Sequence, residues 1–193
     1  ETMEIYAPLA ERIGMKNLQD ELQDLAFAHL YPQAYESIRL RLDAIEREGI
    51  AQIDRIVKML RQTLKESGIQ AEVSGRLKTP FSIWRKMKMK NISFEQISDV
   101  IAFRVIVLST ADCYQALGAI HNGYTVVPET LKDYVSMPKP NHYQSLHTSV
   151  YFESKRIEIQ IRTEEMHRIA EQGVAAHWEY KQNVHLKEGR QYK

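Results

Sequence analysis

The sequence of 193 residues contains one cysteine, Cys113. A single cysteine excludes an internal disulfide and any metal centre built from several thiolates, and it fits a reducing, cytoplasmic location. No apolar run approaches the roughly 18 residues that a membrane span needs, so we expect no membrane partner. The acidic opening at residues 1–4 is no secretory signal and resembles the middle of a helix. We therefore expect the chain to be a fragment of a longer protein.

The chain also lacks a large net charge, which is +1, and it lacks the glycine spacing of a P-loop. A balanced charge does not indicate nucleic acid as a direct partner. Six basic residues without an acid nevertheless fall between positions 76 and 90: Arg76, Lys78, Arg85, Lys86, Lys88 and Lys90. Such a block suits a small polyanion such as a nucleotide, although a solvated helix face explains the charges equally well.

Residues 1 to about 67 are predicted to be helical. Asn17 is a suitable cap for a helix with an apolar stripe that we expect to face the core. The stripe consists of Leu18, Leu22, Leu25 and Ala26. Pro32 suits a first helical turn, and Gly68 suits the position after a helix end.

From about residue 69 the pattern changes to a mixture of strands and helices. We predict a short strand over 71–75 that ends in a turn at Gly75, and a helix opening at Thr79 or Pro80. The nearly continuous apolar run 100–108 after Asp99 predicts a central strand covered on both faces. The later elements are predicted as a helix over 112–121, a loop-rich segment over 122–142, a hairpin over 143–162, a helix from about Met166 to Lys181 and a polar tail.

The hairpin is the clearest pattern in the chain. Ile157, Ile159 and Ile161 would share one face of its second strand. The other face would carry Arg156, Glu158, Gln160 and Arg162. The first strand alternates in the same way, with Leu146, Val150 and Phe152 opposite Tyr143, Ser145, His147, Ser149 and Tyr151. The polar face suits a polar ligand with a metal, and a half-exposed sheet with a solvated side is the alternative.

Two acids and two basic segments carry the candidate chemistry. Asp99 and Glu158 could bind a divalent cation together with phosphates, or accept a proton, if their strands are neighbours. A capping aspartate and an exposed glutamate are the alternatives. The helix start after Arg76 has donors that suit phosphate, and the loop before the hairpin has Asn141 and Tyr143 to contact a base.

These motifs, in this order, strongly resemble the synthetase domain of the RelA/SpoT (Rel) alarmone enzymes. The resemblance covers about residues 50–182 and rests on six ordered segments: Gly75–Arg76 with Ser82–Lys86, the Asp99 strand, Lys132–Tyr134, Tyr143–Thr148, Glu158–Thr163 and Gly173–Trp178. It implies an α+β fold with a nucleotidyltransferase-like mixed sheet flanked by helices and preceded by a helical segment. Residues 1–49 would then link from the end of a hydrolase domain, and 183–193 would form a tail.

The resemblance implies transfer of pyrophosphate from ATP to the 3′-hydroxyl of GDP or GTP, in the stringent response. The implied catalytic residues are Glu158, Asp99 and Arg76, with Asp99 and Glu158 binding Mg²⁺, or Mn²⁺ as the alternative ion. The implied ATP-binding residues are Arg76, Lys78, Ser82 and Lys86. The implied guanine-nucleotide-binding residues are Lys132, Lys139, Asn141, Tyr143, His147 and Ala170.

Two residues depart from the family pattern. His142 stands where the family usually has glycine, so a positive φ or a backbone close to the ligand would make the histidine strain or block the site. Thr130 stands where bifunctional members of the family commonly have the arginine of an Arg-x-Lys-Asp motif, whereas synthetase-only members have acids in this loop. The alternative function is therefore a weakened or inactive guanine-nucleotide-binding regulatory domain of a longer Rel protein, and docking to other Rel domains is a third. The hydrolase motifs do not occur in this chain, and contact with the ribosome is expected only through regions outside it.

Overall fold

A computed structural model describes residues 1–97, 99–153 and 155–173. Within these residues, a helical N-terminal part leads into a mixed sheet flanked by helices, which confirms the predicted fold class. The helices are α1 (Ala7–Arg12), α2 (Lys16–Leu30), α3 (Pro32–Glu66), α4 (Pro80–Lys90), α5 (Thr110–Gly123) and α6 (Glu164–Gln172), with a π-helical turn at Thr2–Tyr6 and a 3₁₀ turn at Phe94–Gln96. No helix in the described ranges is both long and apolar enough to cross a membrane.

The strands form one sheet in the order β1-β2-β6-β5-β3, with β4 also paired to β5. Their bounds are β1 (Ala71–Leu77), β2 (Ile101–Val107), β3 (Thr125–Val126), β4 (Lys132–Asp133), β5 (Leu146–Phe152) and β6 (Lys155–Thr163). Only the β2–β6 pairing is parallel among the described strands, and it aligns Arg104 with Gln160. The predicted hairpin is present as β5 and β6, and β2 is central as predicted.

The apolar face of the sheet packs against α5 and the second half of α3. Phe103 and Val105 of β2 lie beside Ile159 and Ile161 of β6 in this cluster, and all four are at most 1% exposed. The opposite face carries most of the polar residues of the long strands, because side chains in a strand alternate. No residue of β2 is exposed, although Ala102 and Arg104 border a cavity on the second face of the strand.

A second apolar cluster lies between α2, α4 and the first half of α3. It contains Phe27, Ile38, Phe81 and Phe94. Helix α3 spans 35 residues and contributes to both clusters, through Ile38 here and through residues such as Leu60 in the first. The predicted boundary between residues 49 and 50 falls inside this continuous helix.

Helix α2 is oriented opposite to the sequence expectation. Its buried residues are Gln19, Asp20, Gln23 and Phe27, whereas Leu18 and Leu25 are 39% and 62% exposed. The polar side faces inward because its acids have partners there. Asp20 pairs with Arg76 of β1, and the Asp24 carboxylate accepts a hydrogen bond from the backbone N–H of Phe81 at 2.9 Å. Asn17 makes no capping bond, so both expectations for this helix were wrong.

Two glycines differ from their predicted roles. Gly75 lies inside β1 and not in a turn, and a Cβ there would meet Ile53 Cγ2 at 2.6 Å. Glycine therefore permits close packing of β1 on α3. Gly173 follows the last residue of α6 with a φ of 83°. The part of the helix predicted beyond residue 173 lies outside the described residues. Thr79 caps α4, Pro32 begins α3 and Gly68 follows it, as predicted.

Candidate active site

Two adjoining cavities open on the polar face of the sheet. The first has a volume of about 640 Å³ and lies between β1, β2 and α4. The second has a volume of about 280 Å³ and lies between β5, β6, α6 and the turn from α1 to α2. Residues that line both are Lys16, Arg76, Arg85, Arg104 and Gln160. The two cavities therefore share a wall, and that wall is strongly basic.

The first cavity contains all four residues expected to bind ATP. Arg76 and Lys78 come from the end of β1, while Ser82 and Lys86 come from successive turns of α4. The Thr79 hydroxyl accepts a hydrogen bond from the Ser82 N–H at 3.3 Å, which fixes the start of α4 beside the cavity. Eight basic side chains and the single acid Asp20 line this cavity, an electrostatic environment that attracts polyphosphate.

The two candidate carboxylates belong to the lining of neither cavity, but both contact Lys78, which lines the first. Lys78 Nζ lies 2.5 Å from Asp99 Oδ2 and 3.1 Å from Glu158 Oε2, so one ammonium group bridges them. The other oxygen of Asp99 contacts Lys86, and the other oxygen of Glu158 accepts a hydrogen bond from Gln160 at 3.1 Å. The condition that the sequence left open is met, because β2 and β6 are neighbours and both acids contact Lys78.

Asp99 is 4% exposed and ionised. Burial by itself would raise the pKa of its carboxyl, but the hydrogen bonds and charges of Lys78 and Lys86 outweigh burial and hold the pKa well below its usual range. The carboxylate is thus available as an anion at any physiological pH.

The second cavity contains five of the six residues expected to bind the guanine nucleotide. They are Lys139, Asn141, Tyr143, His147 and Ala170. The sixth, Lys132, lies in the lining of the first cavity instead. Strand β4 pairs Lys132 with His147 across the edge of β5, which places its side chain near the junction of the cavities.

Three rings and a lysine form a compact group in this cavity. Tyr143 Oη lies 2.8 Å from His147 Nε2, and the ring of Tyr134 meets both of the other rings edge to face. Lys139 Nζ lies 5.2 Å from the Tyr143 ring centroid and 4.7 Å from that of Tyr134. Burial lowers the pKa of His147 to about 4, so its imidazole is neutral at pH 7. A planar ligand that stacks on Tyr143 would take the position of the Lys139 ammonium.

Two hydrogen bonds to the backbone fix the side-chain amide of Asn141. Its Nδ2 donates to the backbone oxygen of Glu11 at 3.3 Å, and its Oδ1 accepts from the Tyr143 N–H at 3.2 Å. The side chain thus connects the loop before β5 to α1. Contact with a base edge requires Asn141 to exchange the Glu11 bond for the ligand.

His142 has a φ of 61°, the left-handed conformation anticipated for a glycine position. Its side chain does not obstruct the second cavity, because it lines a separate groove with Gln144, Thr163 and Arg168. The expected backbone strain is therefore present, and the expected blockage is not. Histidine is among the residues that adopt this conformation more readily than most.

Thr130, one of the two residues that depart from the expected pattern, has a local structural role. Its hydroxyl donates to the Val127 oxygen at 2.7 Å and accepts from the Ser149 N–H at 3.1 Å. These two bonds attach the loop after β3 to strand β5. Thr130 belongs to the lining of neither cavity.

Sequence reasoning gave no site role to several residues around the shared wall, although it placed Arg162 on the polar face of the hairpin. Arg104 lies on β2 within an apolar run, Arg162 ends the polar face of β6, and Glu171 joins both from α6. Asp20 reaches Arg76 from α2, with Oδ2 at 3.0 Å from Nη2. The sequence contained one indication for Arg104: it is a charged residue that alternates with the buried Phe103 and Val105 of an apolar strand.

Comparison with known families identifies this arrangement. A family model described as a region found in RelA and SpoT proteins matches residues 75–185. The chain belongs to the RelA/SpoT family. The matched range includes both cavities apart from the contribution of the N-terminal helices, and it extends beyond the last described residue.

The sequence relatives of this family member are much longer proteins. The chain is 46% identical over 183 residues to a GTP pyrophosphokinase of Myxococcus xanthus, a match that covers 94% of this chain and 24% of the relative. It is 45% identical over 185 residues to a protein of Aquifex aeolicus named guanosine-3′,5′-bis(diphosphate) 3′-pyrophosphohydrolase, a match that covers 94% of this chain and 26% of that protein. The chain thus spans about a quarter of the length of these curated relatives.

A solved structure shares the fold of this RelA/SpoT region. It is a GTP pyrophosphokinase family protein from Streptococcus pneumoniae, with a TM-score of 0.56 and 23% identity. The likeness covers 74% of this chain and 78% of the other. It supports the mixed sheet with flanking helices, which is the fold predicted from the motifs.

Proposed function

We propose that this chain is a (p)ppGpp synthetase domain, which transfers pyrophosphate from ATP to the 3′-hydroxyl of GDP or GTP. One observation carries the proposal: two basic cavities share a wall, and residues that line them contact the Asp99–Glu158 pair, namely Lys78 and Lys86 from the first cavity and Gln160 from the shared wall. A transfer between two nucleotides needs two anion-binding sites that meet at the reacting atoms. A protein that bound a single nucleotide would need only one of them.

In this proposal the first cavity binds ATP and the second binds the acceptor. Arg76, Lys78 and Lys86 supply charge for the triphosphate, and Ser82 supplies a hydroxyl at the start of α4. Tyr143 stacks on guanine, with the other acceptor contacts from Lys139, Asn141, His147, Ala170 and, near the junction, Lys132. Fixed positive charges that oppose the charge on the transferring group account for most of the catalysis in phosphoryl-type transfer.

The carboxylate pair fits a divalent cation. The Lys78 ammonium already occupies a position between Asp99 and Glu158, which shows that the pair accommodates a positive charge. Among the described residues no group of three or more acids, histidines or cysteines is present, so phosphate oxygens would complete the coordination. Mg²⁺ commonly binds through one or two carboxylates and substrate phosphates, and Mn²⁺ suits similar ligands. When bound, the ion neutralises charge on the phosphates.

The reaction uses Glu158 to hold a proton. The 3′-hydroxyl oxygen of the acceptor bonds to the β-phosphorus of ATP, and the bond from that phosphorus to the oxygen bridging it to the α-phosphorus breaks. AMP leaves with the bridging oxygen, and the hydroxyl proton passes to the Glu158 carboxylate. Arg76 stabilises the charge on the leaving and transferred groups.

The length of the relatives supports a role within a longer Rel protein, where other domains are partners and the product serves the stringent response. The alternative is a regulatory domain that binds guanine nucleotide without turnover. The left-handed backbone at His142 is the observation that favours the alternative. The position of its side chain, outside the second cavity, favours the active enzyme.

One assay separates these functions. The chain is incubated with ATP, GDP and Mg²⁺, and the nucleotides are resolved by ion exchange. The proposal expects AMP and guanosine tetraphosphate in equal amounts. If neither product forms while calorimetry still detects GDP binding, the regulatory alternative replaces the enzyme.

Two variants test the assigned acids. Asp99→Asn and Glu158→Gln should each lower turnover by about 10²-fold or more, the usual effect of removing a general base or a charge from the reacting centre. Glu66→Gln, at the exposed end of α3, is the matched control and should leave turnover unchanged. Turnover that survives Glu158→Gln would falsify the proton-accepting role of that residue.

A further inference from the structure

Glu171 connects helix α6 to two arginines of the sheet. Its Oε1 accepts hydrogen bonds from Arg104 Nη2 at 2.9 Å and from Arg162 Nη2 at 3.3 Å. His167 Nδ1, one turn earlier on α6, lies 3.6 Å from the same oxygen. Arg104 and Arg162 lie on the polar faces of the neighbouring parallel strands β2 and β6. A single carboxylate oxygen thus accepts hydrogen bonds from two guanidinium groups.

The two arginines need this carboxylate for electrostatic reasons. The Arg162 side chain is 2% exposed and that of Arg104 is 17% exposed, so water screens their mutual repulsion poorly. Burial lowers the pKa of Arg162 and the charge of Arg104 lowers it further, whereas Glu171 raises it. Burial would raise the pKa of Glu171, but the two arginines hold it below its usual value, so Glu171 is ionised.

The arginine pair faces the candidate acceptor site. Arg162 and Glu171 line the second cavity, and Arg104 lines both cavities. Glu171 engages one nitrogen of each arginine, and the buried Nε atoms of both have no hydrogen-bond partner among the described residues. Each guanidinium carries five N–H donors in a rigid plane, which leaves donors for a second anion.

We propose that Glu171 is a positioning residue that holds Arg104 and Arg162 as a fixed pair for the phosphates of the acceptor nucleotide. This inference rests on the proposed function. Without the carboxylate, repulsion would turn the less buried Arg104 away from Arg162. The two guanidinium groups would then no longer be held together, and the acceptor nucleotide would bind the protein more weakly. Asp99 and Glu158 would stay in place.

The main test is Glu171→Gln, which keeps the size of the side chain and removes its charge. The KM for GDP should rise about tenfold, equivalent to about 1.4 kcal/mol, while kcat stays within about twofold. Calorimetry should show the same rise in the Kd for GDP and a smaller change for a non-hydrolysable ATP analogue. A purely structural role would lower the melting temperature and the active fraction, and would leave KM unchanged.

Three further variants sharpen the result. Glu165→Gln, an exposed position on the same helix, is the matched control and should keep the wild-type KM. Glu171→Asp retains the charge and should recover part of the lost affinity. If Glu171 acts through Arg104, then adding Glu171→Gln to Arg104→Met should raise the Kd for GDP little further, because the two changes remove the same interaction.

The outcomes distinguish this inference from the proposed function. If the wild-type chain makes no product, the synthetase proposal fails, and the Kd for GDP in Glu171→Gln still decides the role of Glu171. If the wild-type chain is active and Glu171→Gln has the same KM and Kd, only the inference about Glu171 fails. Tighter GDP binding in Glu171→Gln also overturns it, since Glu171 would then compete with the phosphates.

Discussion

Asp20 of helix α2 pairs with Arg76 of strand β1, with 3.0 Å between Oδ2 and Nη2. Its other oxygen lies 2.6 Å from Lys16 Nζ. Both basic residues line the two cavities, and Asp20 is 7% exposed. The helical part of the chain therefore supplies the acid that opposes the basic wall of the site.

Asp20→Asn should strengthen ATP binding, because Arg76 and Lys16 would no longer be neutralised. The Arg76 side chain is 40% exposed, so the ion pair contributes at most about 1 kcal/mol and the Kd should fall by about fivefold or less. Calorimetric titration with a non-hydrolysable ATP analogue measures it. The exposed pair partner Asp43, replaced by Asn, is the control. Weaker binding in Asp20→Asn would show that the pair orients Arg76 for the nucleotide.

Asp99 should make the free energy of unfolding depend on pH in the acidic range. Its folded pKa lies below its ordinary value of 3.8, so its stabilising contribution is present above about pH 4 and is lost as pH falls below that. Asp99→Asn should lower the free energy of unfolding by about 1–3 kcal/mol at pH 7, and by progressively less from pH 4 to pH 2. Urea denaturation across this range tests the prediction, with Asp54→Asn as an exposed control. A difference that stays constant with pH would contradict the ion pairs of Asp99.

His147 should make the folded protein less stable over a different pH interval. Burial lowers its pKa to about 4, below the ordinary 6.5, so the unfolded chain binds the proton more readily. The folded state is unaffected above pH 6.5 and is destabilised from pH 6.5 down to about pH 4, by up to about 3 kcal/mol. Urea denaturation should show this loss of stability in the wild-type protein and not in His147→Gln. The exposed His29→Gln is the control and should behave like the wild type. GDP affinity that changed at pH 6.5 would show that His147 titrates normally.

His142 allows a test of backbone strain separate from chemistry. With φ at 61°, His142→Gly should change the free energy of unfolding by no more than about 1 kcal/mol, whereas the β-branched His142→Val should destabilise by about 1–2 kcal/mol. Neither should change the KM for GDP much, because the side chain lines another groove. Thermal denaturation and the synthesis assay measure both effects. A large gain in turnover for His142→Gly would show that the histidine impairs the site.

The hairpin was predictable because its period-2 pattern has one physical solution. Ile157, Ile159 and Ile161 must be buried together, and the same alternation places Glu158 and Gln160 on the other face. Alternation cannot show what covers the polar face. Only the folded chain brings Lys78 and Asp99 to Glu158, from segments about 80 and 60 residues away in sequence.

Helix α2 shows where pattern reasoning fails. An apolar stripe normally faces the core, yet here tertiary contacts of Asp20 and Asp24 turn it outward. The site role of Arg104 was not predicted for a related reason. Strand β2 is apolar at almost every position, so its sequence does not indicate that one of its two faces borders a cavity. Glu171 was invisible because its importance depends entirely on two arginines from other elements.

The continuity of α3 has a consequence for how the chain unfolds. This helix is about 50 Å long and anchors Ile38 in one apolar cluster and Leu60 in the other. Loss of either cluster removes packing from the same helix and weakens the other, since an isolated helical half has little stability in water. The N-terminal helices and the sheet should therefore melt in a single cooperative transition, and the nucleotide cavities should persist only while both ends of α3 are packed.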